Sequence, residues 1–444
     1  MLKVVKFGGS SLADADQFQK ACDIINEDEN RRYIVPSAPG KRFSDDRKVT
    51  DMLYESYYLA TAGDEASTKL FHSLFDQIKE RYQSIIDGLY MDLSLEEEFD
   101  TIEADFLSGR GEAYAASRGE YLSGKILASY LNVPFVDAAD VVYFHEDGKF
   151  DPSLTDEVMS LRLEETYRAV IPGFYGRKPD GSIETFSRGG SDITGSIVAR
   201  AVHADIYENW TDVSGFLVAD PNIVHHPKAI DSITYRELRE LSYMGATVLH
   251  EAAIFPVREA GIPIQIRNTD RPQDPGTLIV ESTKQKPRFV LTGIAGKKDF
   301  ASVTIEKEMM NSEIGFCRKV LQVFEDNGLS IEHMPSGIDT MSIFVHQEEL
   351  LAKRTEVIDG IYEAVNPDVV DLETDQSLIA VVGRGMRENR GTSGRIFSAL
   401  AHANVNVNMI DQGSSELNII IGVKNQDFET AIRAIYDIFV TTQL

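Results

Sequence analysis

Shifting the last third of the chain by 76 positions lays it on itself. Gly315 falls on Gly391, Val320 on Ile396, Leu321 on Phe397, Phe324 on Leu400, Ile331 on Val407 and Met334 on Ile410. The agreement continues with residues 342–345 on 418–421. Each copy reads as a strand, a glycine-containing loop, an amphipathic helix and two further strands. Agreement across helix, turn and strands predicts two small tandem α+β modules at the C-terminal end.

Upstream, to about residue 280, short β-rich runs alternate with helical patterns, which predicts an α/β domain with a largely parallel sheet. The runs are 2–7, 33–35, 170–174 and 262–266; Pro172 and Pro263 argue against the last two as central strands. A helix over 69–87 sets Leu70, Leu74, Ile78, Tyr82, Ile85 and Ile86 on one face. The acidic segment 86–112, with Glu96-Glu97-Glu98, predicts a solvated helical excursion. Turn chemistry from Arg271 to Gly276 and a basic polar stretch at 284–288 predict a boundary near 283–290.

Charge narrows the function classes. The 444 residues carry 44 Lys plus Arg against 71 Asp plus Glu, a net charge of −27. That balance argues against DNA or RNA as the main partner, because phosphate neutralisation needs surplus basic charge, and against an anionic membrane surface. No apolar run reaches the roughly 18 residues of a membrane span. The opening MLKVVKFGGSSLADAD lacks a signal-peptide core. Cys22 and Cys317 supply neither a disulfide framework nor metal-ligand spacing. A cytoplasmic protein acting on small molecules is expected.

Three constellations carry chemistry. In Lys6-Phe7-Gly8-Gly9-Ser10-Ser11 a strand ends in two glycines and two hydroxyls before a helix. Glycines let backbone amides approach an anion, the helix start adds positive partial charge, and Lys6 adds a point charge. The same letters also describe a plain strand-turn-helix with a capping serine, and no G-x-x-x-x-G-K-[ST] loop exists here. A second glycine turn, Ser187-Arg188-Gly189-Gly190-Ser191-Asp192, feeds an apolar helix; its Arg can clamp a carboxylate and its acid can orient an amine. In the third, Trp210-Thr211-Asp212-Val213-Ser214-Gly215, followed by Asp220, Thr211 and Asp212 end a strand, where open α/β sheets bind ligands. Gly383-Arg384-Gly385 fails as a dinucleotide fingerprint because Glu388 occupies the third glycine position. His225-His226 reads as a surface loop, and Glu120 as a first-turn acid of the helix 121–131.

With these residues in view, the chain resembles the aspartate kinases over nearly its whole length. The opening K-F-G-G-S-S, the R-G-G-S-D of 188–192 and the W-T-D-V-x-G of 210–215 are specific in combination, and the stretches 379–386 and 409–416 match the family's second ACT module. The resemblance implies an α/β amino-acid-kinase fold, a mostly parallel sheet sandwiched by helices, over 1–283. Tandem α+β ACT domains would follow at 290–371 and 372–436, the first completed by a C-terminal strand at 437–444.

The resemblance also implies roles. Lys6 would face the transferring phosphoryl group, with Asp192 orienting it. Gly8, Gly9 and Ser10 would contact ATP phosphates, and Thr211, Asp212 and Asp220 would line the nucleotide site. Glu120 would hold the substrate's amino group and Arg188 its α-carboxylate, while Ser37, Thr50, Phe174 and Ser191 complete the pocket. The family often carries a tyrosine at Leu217, an arginine at Asn222 and a lysine at Thr247, and lacks the insertion at 41–49. The implied reaction transfers the γ-phosphoryl group of ATP, with Mg²⁺, to the β-carboxylate of L-aspartate, at the head of lysine, threonine and methionine biosynthesis. Met310, Gly315, Phe316, Ser330 and Glu332 stand where a lysine or threonine effector would bind, and paired ACT modules imply a homodimer or higher oligomer. A kinase for another small acid and a non-catalytic amino-acid sensor are the competing expectations.

Overall fold

The computed structural model describes residues 1–187, 189–246, 249, 254–283 and 289–441. Two compact units emerge: one holds Met1–Phe216, Asp231–Tyr235 and the described residues up to Ser282, the other Leu217–Ile230, residues 236–246 and the described residues from Thr283 onward.

The first unit is built on β1 (Lys3–Phe7), β2 (Arg31–Pro36), β3 (Ala169–Val170), a small hairpin of β4 (Tyr175–Arg177) and β5 (Ile183–Thr185), β6 (Ile206–Thr211), β7 (Ser232–Thr234), β8 (Ile264–Asn268) and β9 (Thr277–Val280). Seven of them form one sheet in the order β3-β2-β1-β6-β8-β9-β7, with only β8–β9 antiparallel. Val4 and Val5 point to opposite faces, and both are fully buried. Both faces of the centre are therefore covered, with Val4, Val5 and Phe7 buried between them. The helix Gly190–Ala201 packs on β1, β2 and β6, and the helix Glu112–Leu131 on β2 and β3.

Several expectations change here. Of the run 170–174 only Val170 pairs as a strand, in Ala169–Val170. Pro172 has no N–H to donate, and Phe174 turns to φ 83°, a region that ordinary side chains rarely adopt. The strand expected at 262–266 runs Ile264–Asn268, just beyond Pro263. The acidic segment is not simply solvated: in the helix Glu96–Leu107, Phe99, Ile102 and Phe106 join the core around Phe71, Phe75 and Tyr82. Its three N-terminal glutamates meet the positive end of the helix dipole.

In the second unit, β10 (Gly293–Glu306), β11 (Thr340–His346), β12 (Val369–Val382), β13 (Met409–Asp411) and β14 (Asn418–Lys424) form an antiparallel sheet in the order β11-β10-β12-β14-β13. The 76-residue offset maps β10 onto β12 end for end, and the helix Phe316–Asp326 onto Thr392–His402. Both helices start after a glycine at φ 82°, Gly315 and Gly391. Because Gly293 pairs with Val382 and Glu306 with Val369, exchanging the copies maps the ladder onto itself. The central strands are thus related by an internal two-fold. Asp299 and Asp375, again 76 apart, sit at φ 67° and 60°, and the ladder shifts register beside them.

The C-terminal strand expected at 437–444 is corrected: Asp437–Thr441 is helical and continues Phe428–Tyr436, while 442–444 lie outside the described residues. Buried Ile432, Ile435, Tyr436, Phe439 and Val440 recur at helical, not alternating, spacing. Among the described residues no helix is long and apolar enough to cross a membrane.

Candidate active site

The first two strands and two helix starts of the first unit converge on one cavity of about 950 Å³. Lys6 comes from the C-terminal end of β1 and Ser37 from just past β2. Thr50 sits at the start of the helix Val49–Thr61, and Ser191 and Asp192 in the first turn of Gly190–Ala201, which Gly189 opens at φ 77°. With Glu120 and Phe174, these are seven of the residues singled out from sequence, all lining one cavity. Helix starts favour anions, and the strand ends lie where open α/β sheets bind ligands.

Lys6 is 7% exposed, and its Nζ stands 2.5 Å from Asp192 Oδ1. Glu120 is not a first-turn acid: the helix begins at Glu112, and Glu120 lies buried at mid-helix. Desolvation pushes its carboxyl up to about 8, against the partial opposition of the Ala38 and Glu120 backbone amides, the Ser191 hydroxyl and the Lys6 charge. Its Oε2 has no hydrogen-bond partner among the described residues. A buried carboxylate oxygen without a donor is costly, and an ammonium group would satisfy it.

The wall beside Phe174 is set by close backbone approach. The Phe174 N–H donates to Thr194 Oγ1 at 3.0 Å, and a Cβ on Gly190 would meet Phe174 Cδ2 at 2.4 Å. Arg188 lies outside the described residues; its neighbours Ser187 and Gly189 line the cavity.

Around the first glycine loop, the Gly8 N–H donates to the Trp210 carbonyl at 2.9 Å and so continues the β1–β6 pairing. Its value is closeness: a Cβ there would stand 3.5 Å from Lys6 Nζ. The Gly9 carbonyl accepts from the Gly40 N–H at 2.8 Å, and no partner is recorded among the described residues for the Gly9 or Ser10 amides. Ser11 is committed to Thr269, with 2.7 Å between hydroxyls. Thr211 and Asp212 end β6, hydrogen-bonded to each other at 3.2 Å, and do not line the cavity. Asp220 belongs to the second unit, where Oδ1 accepts from Asn222 N and Nδ2 at 2.8 and 2.9 Å. Thr247 lies outside the described residues.

Lys48, Asp51, Tyr54, Thr185 and Phe186 also line the cavity, and sequence reasoning did not name them. The signal was present: Val49, Met52, Leu53 and Ser56 are the buried face of a helix that starts immediately after Lys48.

Of the proposed effector residues, Met310 and Phe316 are buried in the apolar core of the first repeat, and Gly315 opens its helix. Ser330 is exposed. Glu332 has His346 Nε2 at 3.4 Å, so a cationic effector would compete with that imidazole.

The profile of the amino acid kinase family matches residues 1–268 and that of the ACT domain 379–439. Aspartokinase 3 of Bacillus subtilis (strain 168) is 40% identical over 456 residues, covering 99% of this chain and 98% of that protein. The crystal structure of Clostridium acetobutylicum aspartate kinase, described as an allosteric enzyme, is 50% identical with a TM-score of 0.92, covering 99% of this chain and 100% of that one. E. coli aspartokinase III in complex with aspartate and ADP, at 24% identity, a TM-score of 0.71 and 99% coverage of both chains, shares the fold.

Proposed function

The chain belongs to the amino acid kinase family, among its aspartokinases, and from that premise we propose that it transfers the γ-phosphoryl group of ATP to the β-carboxylate of L-aspartate, giving 4-phospho-L-aspartate and ADP. The observation that carries this reading is the charge arrangement of the cavity: a buried Lys6 against Asp192, with the unpartnered carboxylate oxygen of Glu120 on the same walls.

A β-carboxylate of pKa about 4 is already ionised near neutral pH, so the nucleophile needs no general base. The barrier comes from bringing an anion to a triphosphate. Like unit charges at about 4 Å cost about 4 kcal/mol at an effective dielectric of about 20. In our reading Lys6 and the helix starts at Val49 and Gly190 offset that repulsion and stabilise charge on the transferring group. Asp192 orients Lys6. Glu120 takes the substrate ammonium and Arg188 the α-carboxylate, with Ser37, Thr50, Ser191 and Phe174 around them. Gly8, Gly9, Ser10, Thr211 and Asp212 serve the nucleotide. ATP enters as its Mg²⁺ complex, the ion neutralising phosphate charge.

The C-terminal modules supply feedback control by a small amino acid, lysine or threonine, and a homodimer interface; the setting is cytoplasmic amino-acid biosynthesis. The test is ADP release with aspartate, glutamate or acetylglutamate as acceptor, with and without lysine or threonine. Aspartate-dependent release is expected. Release with another acid instead, or nucleotide binding without turnover, overturns the reading.

A further inference from the structure

Asn209 sits where a strand of this kind ordinarily carries an apolar side chain. It is central in β6, opposite Lys6 of β1 and Ile266 of β8, and 4% exposed. A parallel strand covered on both faces favours Val, Ile or Leu, and a buried carboxamide there is costly unless its hydrogen bonds are made. Asn209 Nδ2 donates to Asp192 Oδ1 at 2.8 Å, the same oxygen that lies 2.5 Å from Lys6 Nζ. Two residues earlier along β6, and so on the same face of the strand, the Tyr207 hydroxyl donates to the Asp192 main-chain carbonyl at 3.1 Å. The strand thus grips the first turn of the helix Gly190–Ala201 at both the backbone and the carboxylate of one residue.

We propose that Asn209 is a positioning residue for phosphoryl transfer: its side-chain amide fixes the Asp192 carboxylate, and through it the Lys6 ammonium. This rests on the aspartate kinase reading above. Asn209 need not touch the substrate. Without the amide, the flexible lysine is the side chain left holding the carboxylate among the described residues, and both can turn together. A misplacement of about 1 Å at a transferring group can cost about 100-fold in rate. Among the described residues, the charged and titratable groups around Asp192 are Lys6 from β1, Tyr207 from β6 and, on the walls of the same cavity, Glu120 from the helix Glu112–Leu131 and Lys48, Asp51 and Tyr54 around the start of the helix Val49–Thr61.

The test compares wild type, Asn209→Ala and Asn209→Asp in ADP release, with aspartate and nucleotide affinities from calorimetry. Asn209→Ala is expected to lower kcat about 10- to 100-fold while both affinities stay within about threefold. Asn209→Asp is the same size and sets two carboxyls in contact, so one of their pKa values rises. Its activity relative to wild type is then expected to recover as pH falls, because the protonated carboxyl regains a donor for Asp192. A purely structural role lowers the melting temperature without that recovery. Should Asn209→Ala fail to fold, the Asn209→Asp pH profile decides. Wild-type turnover together with a flat relative profile for Asn209→Asp overturns this inference alone. No aspartate-dependent ADP release from the wild-type chain overturns the functional reading, and this inference with it.

Discussion

Arg81 Nη2 donates to Asp46 Oδ2 at 2.6 Å and thereby fastens the surface insertion at 41–49 to the first unit's core. Both side chains are buried, and the same guanidinium reaches the carbonyls of Ala13, Gly40 and Arg47. Asp46 also accepts from Arg42 N and Nε at 2.9 and 2.8 Å. The insertion therefore delivers Lys48 and Thr50 to the cavity along a fixed path.

Asp46→Ala leaves the Arg81 guanidinium buried without its carboxylate, a change that costs about 3–5 kcal/mol where a pair is buried. A melting temperature several degrees lower is expected, with KM for aspartate raised several-fold and kcat little changed. The Arg42 hydrogen bond, foremost among the causes, holds the Asp46 carboxyl well below its ordinary 3.8. A depressed carboxyl stabilises the fold above that ordinary value and loses the contribution as pH falls. Wild type and variant should therefore converge in thermal stability in strongly acidic solution. A kcat defect with KM unmoved would contradict the delivery role.

Lys6→Met keeps the length of the side chain and removes the charge facing Asp192. Losing one preorganised donor to a transition-state charge typically costs about 10²–10³ in kcat. That loss is expected here, with calorimetric affinity for aspartate within a few-fold of wild type, since Glu120 remains. Near-normal turnover by the variant would refute the role of Lys6.

Much of this was legible in the chain, for reasons that differ by element. The 76-residue offset found the second unit because Gly315 and Gly391 both need the left-handed region, and because buried Val320 and Ile396 mark equivalent faces. Lys6 and Asp192 stand out within their glycine loops, and the role of Glu120 comes from the resemblance; nothing in their spacing brings residues 6, 120 and 192 together. Spacing also hides what a buried polar residue will meet. Glu208 is fully buried in β6 and accepts from Lys3, Arg31 Nε and Trp210 Nε1, each at 2.9 Å, partners that span 205 positions of sequence. The run at 170–174 has strand composition, yet the turn at Phe174 is dictated by the helix start packed against it. Glu96-Glu97-Glu98 suggested solvent because charge dominates the window, whereas the packing was carried by Phe99, Ile102 and Phe106, three and four residues apart.

The glycines of the loops after β1 and β2 can be told from ordinary ones. A Cβ on Gly40 would stand 2.6 Å from the Gly9 carbonyl carbon and 2.8 Å from Ser10 N. Gly40→Ala must therefore push the loops after β1 and β2 apart; a loss of about 2 kcal/mol and a several-fold higher KM for ATP are expected. Gly394 has nothing within 4 Å of such a Cβ and lies in the helix Thr392–His402. There Ala is the better helix former by about 1 kcal/mol, so Gly394→Ala should raise the melting temperature and leave KM alone. Similar behaviour of the two variants would remove the argument from close approach.

Glu120 should report substrate binding through its proton. Burial pushes its carboxyl from 4.5 up to about 8 in the free chain, so near neutral pH it is mostly protonated. An ammonium group brought against Oε2 favours the charged form, and aspartate binding should then release about one proton near pH 7 and none above about pH 9. Calorimetry in two buffers of different ionisation enthalpy counts that proton, and Glu120→Gln should abolish the release while weakening aspartate binding. Stability follows the same group with the opposite sign to Asp46. A raised carboxyl holds its proton more tightly in the native state than in the unfolded chain, so stability falls as pH climbs from 4.5 to about 8 and the full cost remains above. Without substrate, Glu120→Gln should therefore melt above wild type at about pH 9 and close to it at about pH 4. If binding near pH 7 shows no buffer dependence, the carboxyl is already ionised and its pairing with the substrate amine must be abandoned.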